Sequence, residues 1–327
     1  MGKSMELQIP KTILRREQHS REVLNRLQKR LLEAECSKRV PEFCVYATGS
    51  YGRLQAGKHS DIDVFLVRRS NKKKKGDKDI DAVQIKEIKK IFSDMGLAYT
   101  DEYLKVQYSE DILVNIGSRK DDFQNHFSAR MCLILESQPL LNDINYRLIV
   151  NRTIRSYYRD FHDHERNFRP MFLTNDIVRF WKTLCLNYEQ KRNIQSDDEV
   201  IHSKHHLRNL KLKFSRMLTC YATVLNLAAA KSVSQDEVIQ LVQKPILEKL
   251  TDIAKESDEH RNVVSSMLDD YAWFLDNTDK SEDNILRWIG NRNNRDEAFE
   301  RSRQFSVKMF DLIKRSTDDD GLRYLVI

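Results

Sequence analysis

The stretch Thr48-Gly-Ser-Tyr-Gly-Arg-Leu-Gln-Ala-Gly-Lys-His-Ser-Asp-Ile-Asp-Val-Phe-Leu-Val67 decides how the first part of this 327-residue chain folds. Two runs of strand-forming residues, 42–48 and 62–67, are too short for helices and flank a glycine-containing turn. Gly49 lets the backbone leave the first strand in a conformation closed to residues with a Cβ, which brings N–H groups and the Ser50 hydroxyl near an anion. The pattern predicts two strands joined through a phosphate-binding turn.

Asp61 and Asp63 stand two residues apart at the start of the second predicted strand. Side chains alternate across a strand, so both carboxylates should point to one face while Ile62 is buried on the other. Carboxylate oxygens are hard ligands that suit Mg²⁺ or Mn²⁺. Two carboxylates leave coordination positions of the cation open, which triphosphate oxygens can fill. We therefore predict that Asp61 and Asp63 are both metal ligands and catalytic residues.

The spacing of apolar residues predicts the rest of the fold. An amphipathic helix covers residues 11–36, another helix covers 80–95, and residues 103–108 alternate as a strand does. After Asp121 the strand signals nearly vanish, and helical spacing continues to about Ile313. Within it, residues 195–203 are polar and loop-like, and Ser234-Gln-Asp-Glu237 is a capping-box signature that predicts a helix start. We expect an α+β fold with a small mixed-sheet domain over residues 1–120, opened by the N-terminal helix, and an all-helical bundle over residues 121–327.

The composition contains a local basic segment and no membrane signal. The formal charge of the chain is +7, and the segment Arg68–Lys78 holds seven basic residues and one acid, so the remainder is near neutral. This segment is a candidate contact for a polyanion. No apolar run approaches the ~20 residues of a membrane span, no secretory signal is evident, and the five cysteines are scattered. We expect a cytoplasmic protein.

The order of Gly49-Ser50, a short spacer and Asp61-Ile62-Asp63 resembles the signature of the DNA polymerase β-like nucleotidyltransferase superfamily. Together with Tyr51-Gly52-Arg53 and Ser60, it looks most like the nucleotidyltransferase domain of the PII uridylyltransferase class. Residues 127–137 and 172–189 are similar to a bacterial stand-alone branch of these enzymes. The chain is too short for the phosphohydrolase and regulatory domains of PII uridylyltransferases, so we do not expect a PII-modifying role to follow directly.

The resemblance implies transfer of a nucleoside monophosphate from an NTP to a hydroxyl, with release of pyrophosphate. It implies nucleotide contacts from Gly49, Ser50 and Arg53, and a third carboxylate, for which Asp101 and Glu102 are candidates. Cationic and hydroxyl groups on the triphosphate would come from two polar stripes on predicted helices. The residues of these stripes are Arg179, Lys182, Lys211 and Ser215.

The acceptor and the class of function stay open at this point. A nucleotide acceptor, as in superfamily members that make signalling dinucleotides or oligonucleotides, is slightly favoured over a protein acceptor of the PII type. Stand-alone signalling synthases of this kind often serve antiphage defence. The alternatives are a nucleotide- or RNA-binding module without turnover and an enzyme that modifies tRNA ends. His202 and His206 are four residues apart but lack a third ligand, so we interpret them as structural rather than as a zinc site.

Overall fold

The sheet is built around β1 (Phe43–Thr48), which pairs antiparallel with β2 (Asp63–Arg68) on one side and with β4 (Gln138–Leu141) on the other. β3 (Val106–Tyr108) lies parallel to β2, which gives the order β3-β2-β1-β4. This computed structural model describes residues 7–34, 43–69, 77–101, 104–122, 125–163, 165–166, 168–193, 198–230 and 232–326. The mixed sheet followed by many helices confirms the predicted α+β class.

The chain divides into two compact units, one formed by Arg16–Asp160 and the other by Met1–Arg15 with Phe161–Ile327. We call them the sheet unit and the helical unit. In the sheet unit, apolar side chains of the first helix and of the sheet form one core, to which Leu27, Val45 and Leu66 contribute with no exposed surface. The helices that belong wholly or largely to this unit are α1 (Lys11–Glu33), α2 (Gly49–Gly52), α3 (Asp77–Asp94), α4 (Ser109–Val114), α5 (His126–Leu135) and α6 (Asp143–Arg155).

The sheet unit extends beyond residue 120, where the sequence placed the boundary. The reason is β4, a strand that the sequence analysis missed and that pairs with β1. β4 is only four residues long and contains Pro139, which removes a backbone donor. Proline is tolerated there because β4 lies at an edge of the sheet. The two helices before and after β4 are thereby held in the same unit.

The longer segment of the helical unit begins with a 3₁₀ turn at Phe161–Asp163. The unit has its own apolar core, in which the rings of Phe214 and Phe274 stack with centroids 4.8 Å apart. Its helices are α7 (Met171–Arg192), α8 (Glu199–Lys211), α9 (Met217–Ala229), α10 (Gln235–Gln243), α11 (Ile246–Ala254), α12 (Asp258–Asn277), α13 (Glu282–Gly290), α14 (Arg292–Ser316) and α15 (Asp319–Val326). A π-helical turn at Leu212–Arg216 joins α8 to α9. Within the described residues, no helix is long and apolar enough to cross a membrane.

Local sequence signals set several helix ends in this unit. The Ser234 side chain and the Glu237 side chain form the predicted capping box at the start of α10. Pro245 separates α10 from α11, as its missing N–H requires. Residues 199–203, which the sequence suggested were a loop, instead form the first turn of α8, because the Asp198 side chain accepts a hydrogen bond from the Val200 N–H at 2.8 Å.

Candidate active site

The end of β1 lies beside the start of β2. In this antiparallel pair Thr48 is opposite Asp63, and the Thr48 hydroxyl is 3.5 Å from the Asp63 carbonyl oxygen. Gly49 follows with a φ of +65°, the left-handed conformation expected from the sequence. A Cβ at position 49 would lie 2.5 Å from Asp63 Oδ2. Glycine is therefore required for the Asp63 carboxylate to lie against the backbone that leaves β1.

The backbone after Gly49 forms the single helical turn α2. The Arg53 N–H donates to the Gly49 carbonyl at 3.0 Å, and the Gln55 N–H donates to the Ser50 carbonyl at 2.8 Å. The first N–H groups of a helical turn have no carbonyl of a preceding turn to bond, which makes them donors to water or to an anion. The Ser50 side chain is partly exposed. The start of α2 thus brings backbone donors and a hydroxyl next to the Asp63 carboxylate.

The other end of α2 is fixed to the residue that follows α5. A Cβ at Gly52 would lie 2.0 Å from the Glu136 carbonyl oxygen, so the two backbones are in direct contact. The Arg53 guanidinium pairs with the Glu136 carboxylate, and their side chains are only 7% and 1% exposed. Arg53 Nε also donates to Gln55 at 3.2 Å. The sequence proposed Arg53 as a nucleotide contact, whereas the structure shows its guanidinium bound to Glu136 inside the sheet unit.

Glu136 is a residue of this site that the sequence analysis did not identify as such. Its one signal is a glutamate at the end of the apolar run 131–135, since a carboxylate in such a position is rarely buried without a partner. The partner could not be read from the sequence, because Arg53 is 83 residues away. The Glu136 carboxylate also accepts a hydrogen bond from the Cys132 thiol, with Sγ and Oε1 3.7 Å apart.

Asp61 and Asp63 alternate with a buried residue, as predicted. Ile62 is 1% exposed, its N–H donates to the Ala98 carbonyl at 2.8 Å, and it forms a parallel bridge with Tyr99. Asp61 is exposed and Asp63 is partly exposed. The pKa of Tyr51 is raised, mainly by its burial and further by the negative charge of Asp61. The Asp61 carboxylate is therefore close enough to Tyr51, in the middle of α2, to affect its ionisation.

The donor set of this site fits a divalent cation that is shared with a substrate. Two carboxylates from one strand start provide hard oxygen ligands, and the donors of α2 lie beside one of them. Among the described residues, no group of three or more His, Cys, Asp or Glu side chains could hold a metal on its own. Such a site would need oxygen atoms of the substrate or of water to complete the coordination.

The sequence comparison bears directly on these residues. Residues 29–136 match the family model of the nucleotidyltransferase domain. The chain carries a nucleotidyltransferase domain. The matched segment contains α2 and both aspartates and ends at Glu136. This match supports a transferase that moves nucleoside monophosphates and is consistent with the polymerase β-like superfamily, but it does not confirm the narrower resemblance to PII uridylyltransferases. A search of curated proteins found no match to the chain.

Two residues before β3, Asp101 and Glu102, are the sequence candidates for a third carboxylate. Asp101 has a side chain that is 73% exposed and lies 2.7 Å from the Lys89 ammonium of α3. It precedes β3, which begins only at Val106, so it lies in a turn rather than in a strand. Glu102 lies outside the described residues.

The four candidates in the helical unit do not share one exposed surface. Arg179 is partly buried and its guanidinium is 3.4 Å from the Asp176 carboxylate, while Lys182 is exposed. Lys211 is exposed, but Ser215 is 7% exposed and its hydroxyl accepts a hydrogen bond from Tyr271 at 3.3 Å. The predicted stripe through positions 211 and 215 assumed a regular helix. The π-helical turn at Leu212–Arg216 breaks that spacing and directs Ser215 into the core.

The basic segment is partly described. Arg68 is the last residue of β2, is buried, and pairs with Asp81 of α3, so its charge is neutralised within the sheet unit. Arg69 is exposed. Residues 70–76, which include the lysine run, lie outside the described residues, and α3 begins at Asp77. The polyanion contact predicted for Arg68–Lys78 therefore cannot include Arg68 without loss of this buried ion pair.

Proposed function

We propose that this protein transfers a nucleoside monophosphate from an NTP, such as ATP, to the hydroxyl of a second nucleotide, with release of pyrophosphate. The observation that carries the proposal is the contact between Gly49 and Asp63. It brings the start of α2, which offers donors for phosphate oxygens, into contact with a carboxylate that can bind a divalent cation. Phosphoryl transfer depends mostly on positioning and charge stabilisation, and this arrangement provides both.

Each residue of the site has a defined task in this proposal. Asp61 and Asp63 would hold Mg²⁺ or Mn²⁺, which when bound lowers the pKa of the attacking hydroxyl and offsets charge on the leaving pyrophosphate. The Ser50 hydroxyl and the first N–H groups of α2 would bind phosphate oxygens of the donor. Gly49 keeps these donors close to Asp63. Gly52 and Arg53 hold the far end of α2 against Glu136.

The choice of a nucleotide acceptor rests on charge. The sequence has four consecutive lysines, Lys72–Lys75, which begin three residues after the exposed Arg69 that follows β2. The positive charge of such a lysine run attracts polyanions over a long range. If the product is a signalling dinucleotide or oligonucleotide, a role in antiphage defence would be the natural one to test. A protein acceptor of the PII type is the alternative outcome of the same experiment.

The test is a product analysis with the four labelled ribonucleoside triphosphates in Mg²⁺ or Mn²⁺. We expect labelled products larger than the NTP, together with pyrophosphate, in the absence of any protein substrate. Label that appears only on an added protein would replace the nucleotide acceptor with a protein acceptor.

The matched variants are Asp61→Asn and Asp63→Asn, with Asp94→Asn as the control, because Asp94 is an exposed aspartate at the end of α3. Each of the first two should lower transfer by at least about a hundredfold, or ~2.7 kcal/mol of barrier. The control should retain wild-type activity. Transfer within about tenfold of wild type in the Asp61/Asp63 double variant would refute the proposed site.

A further inference from the structure

The helical unit contains a cavity of about 600 Å³ lined by side chains of α8, α13 and the first turns of α14. None of its lining residues belongs to the motif around Asp61 and Asp63 or to the helical candidates for the triphosphate. The lining includes two apolar side chains, two histidines and two arginines, namely Val200, Leu286, His202, His206, Arg287 and Arg295.

Two arginines, Arg287 and Arg295, line this cavity. Within the part of the chain that the structure describes, neither Arg287 nor Arg295 forms an ion pair, and Arg295 makes only a 3.5 Å contact to the Gly290 carbonyl. The pattern differs on the rest of α14, where Arg292 and Arg303 both pair with carboxylates. A guanidinium that lines a cavity without an ion pair can bind a carboxylate or phosphate of a ligand through two parallel hydrogen bonds.

The electrostatic surroundings of His206 are also favourable to an anion. The pKa of His206 is lowered, first by burial and then by the positive charge of Arg295 and of other neighbouring basic groups. No carboxylate contributes to this shift, although Glu199 and Asp283 also line the cavity and are exposed. The surroundings of His206 are therefore electropositive, and an anion bound there would be stabilised.

The volume and the lining residues of the cavity indicate which kind of ligand it can bind. A volume of about 600 Å³ is within the range of roughly 300–1,000 Å³ typical of small-molecule sites and is far larger than an inorganic phosphate needs. Val200 and Leu286 provide apolar surface, and the His206 ring stands edge-on to Phe299 with centroids 5.8 Å apart. These features suit a phosphate group attached to a flat, partly apolar body.

We infer that the helical unit binds a nucleotide-sized phosphate ester in the cavity between α8 and α13, with Arg287 and Arg295 on the phosphate. This site is independent of the proposed transfer reaction. It gives the protein a second position at which the level of a phosphorylated small molecule can be sensed.

The test uses the full chain in EDTA, so that binding at a cation-dependent site is suppressed. The histidine ring signals of His202 and His206 are followed by NMR as a function of pH, with and without each of the four ribonucleoside triphosphates. Pyrophosphate serves as the anion-only probe. A phosphate close to His206 should raise its pKa by about one unit. The Arg287→Ala/Arg295→Ala variant should bind the nucleotide at least about tenfold more weakly.

The control is Arg292→Ala/Arg303→Ala, which also removes two positive charges, both from α14, at residues that do not line the cavity. The inference is supported if the His206 shift persists in the Asp61→Asn/Asp63→Asn variant and is lost only when the cavity arginines are replaced. It is overturned if no nucleotide shifts His206, if the control weakens binding equally, or if the shift disappears with the aspartates. The last result would leave the proposed transferase site intact.

Discussion

The ion pair between Arg53 and Glu136 allows a quantitative test of how the proposed nucleotide site is held together. We expect Glu136→Gln to lower both the stability of the protein and its apparent affinity for NTP. The side chains of the pair are 7% and 1% exposed, so the substitution leaves the Arg53 guanidinium buried without a counter-charge. Removal of one partner of a buried pair costs about 3–5 kcal/mol.

The structure places the expected loss at the lower end of that range, because Arg53 keeps its hydrogen bond to Gln55 at 3.2 Å. At roughly 2–4 °C for each kcal/mol in a protein of about this size, a loss of ~3 kcal/mol lowers Tm by about 6–12 °C. The functional consequence follows from Gly52, whose backbone touches the Glu136 carbonyl. If α2 loosens, its donors no longer hold a fixed position beside Asp63, and KM for NTP should rise more than kcat falls.

Thermal unfolding and steady-state kinetics measure the two effects. The control is Asp143→Asn, which removes an exposed ion pair with Arg147 in the same unit and should shift Tm by less than about 2 °C. Replacement of both buried partners, as Arg53→Met with Glu136→Leu, should recover much of the stability, because no buried charge is left unpaired. A Glu136→Gln variant with wild-type Tm and KM would show that this pair does not position α2.

Three further predictions concern single residues. Burial, and then the charge of Lys244, lowers the pKa of the buried Lys249 from 10.5 to about 7. Between pH 7 and 10.5 the unfolded chain therefore keeps a proton on this lysine that the folded protein has lost. Stability should therefore rise with pH above about 7, by up to ~1.4 kcal/mol per unit, and denaturant titrations of Lys249→Met should lose this dependence. Gly49→Ala should abolish transfer in a product assay and destabilise the protein by about 1–2 kcal/mol, through the left-handed φ and the contact with Asp63. Trp181→Ala, which removes a partly buried ring against Tyr221, should cost less in unfolding than the roughly 3–5 kcal/mol of a fully buried ring, whereas Lys182→Ala on the exposed side of the same helix should leave Tm unchanged in thermal unfolding.

The sequence by itself predicted the features that depend on neighbouring residues. The alternation of Asp61, Ile62 and Asp63, the left-handed Gly49 and the capping box at Ser234 each follow from steric and hydrogen-bonding rules that act over a few residues. The order of a strand, a Gly-Ser turn and an acid pair carried the resemblance to nucleotidyltransferases, which the family match supports.

The tertiary structure alone decided which distant residues meet. Arg53 and Glu136 form their pair across 83 residues because β4 turns the chain back along β1 and brings the end of α5 against α2. No local pattern marks β4, since four residues with a proline carry almost no strand signal. The π-helical turn that buries Ser215 is likewise set by packing in the core of the helical unit, not by a sequence period. Contacts between residues far apart in the chain depend on how whole elements fill space, which the period of a single helix or strand does not encode.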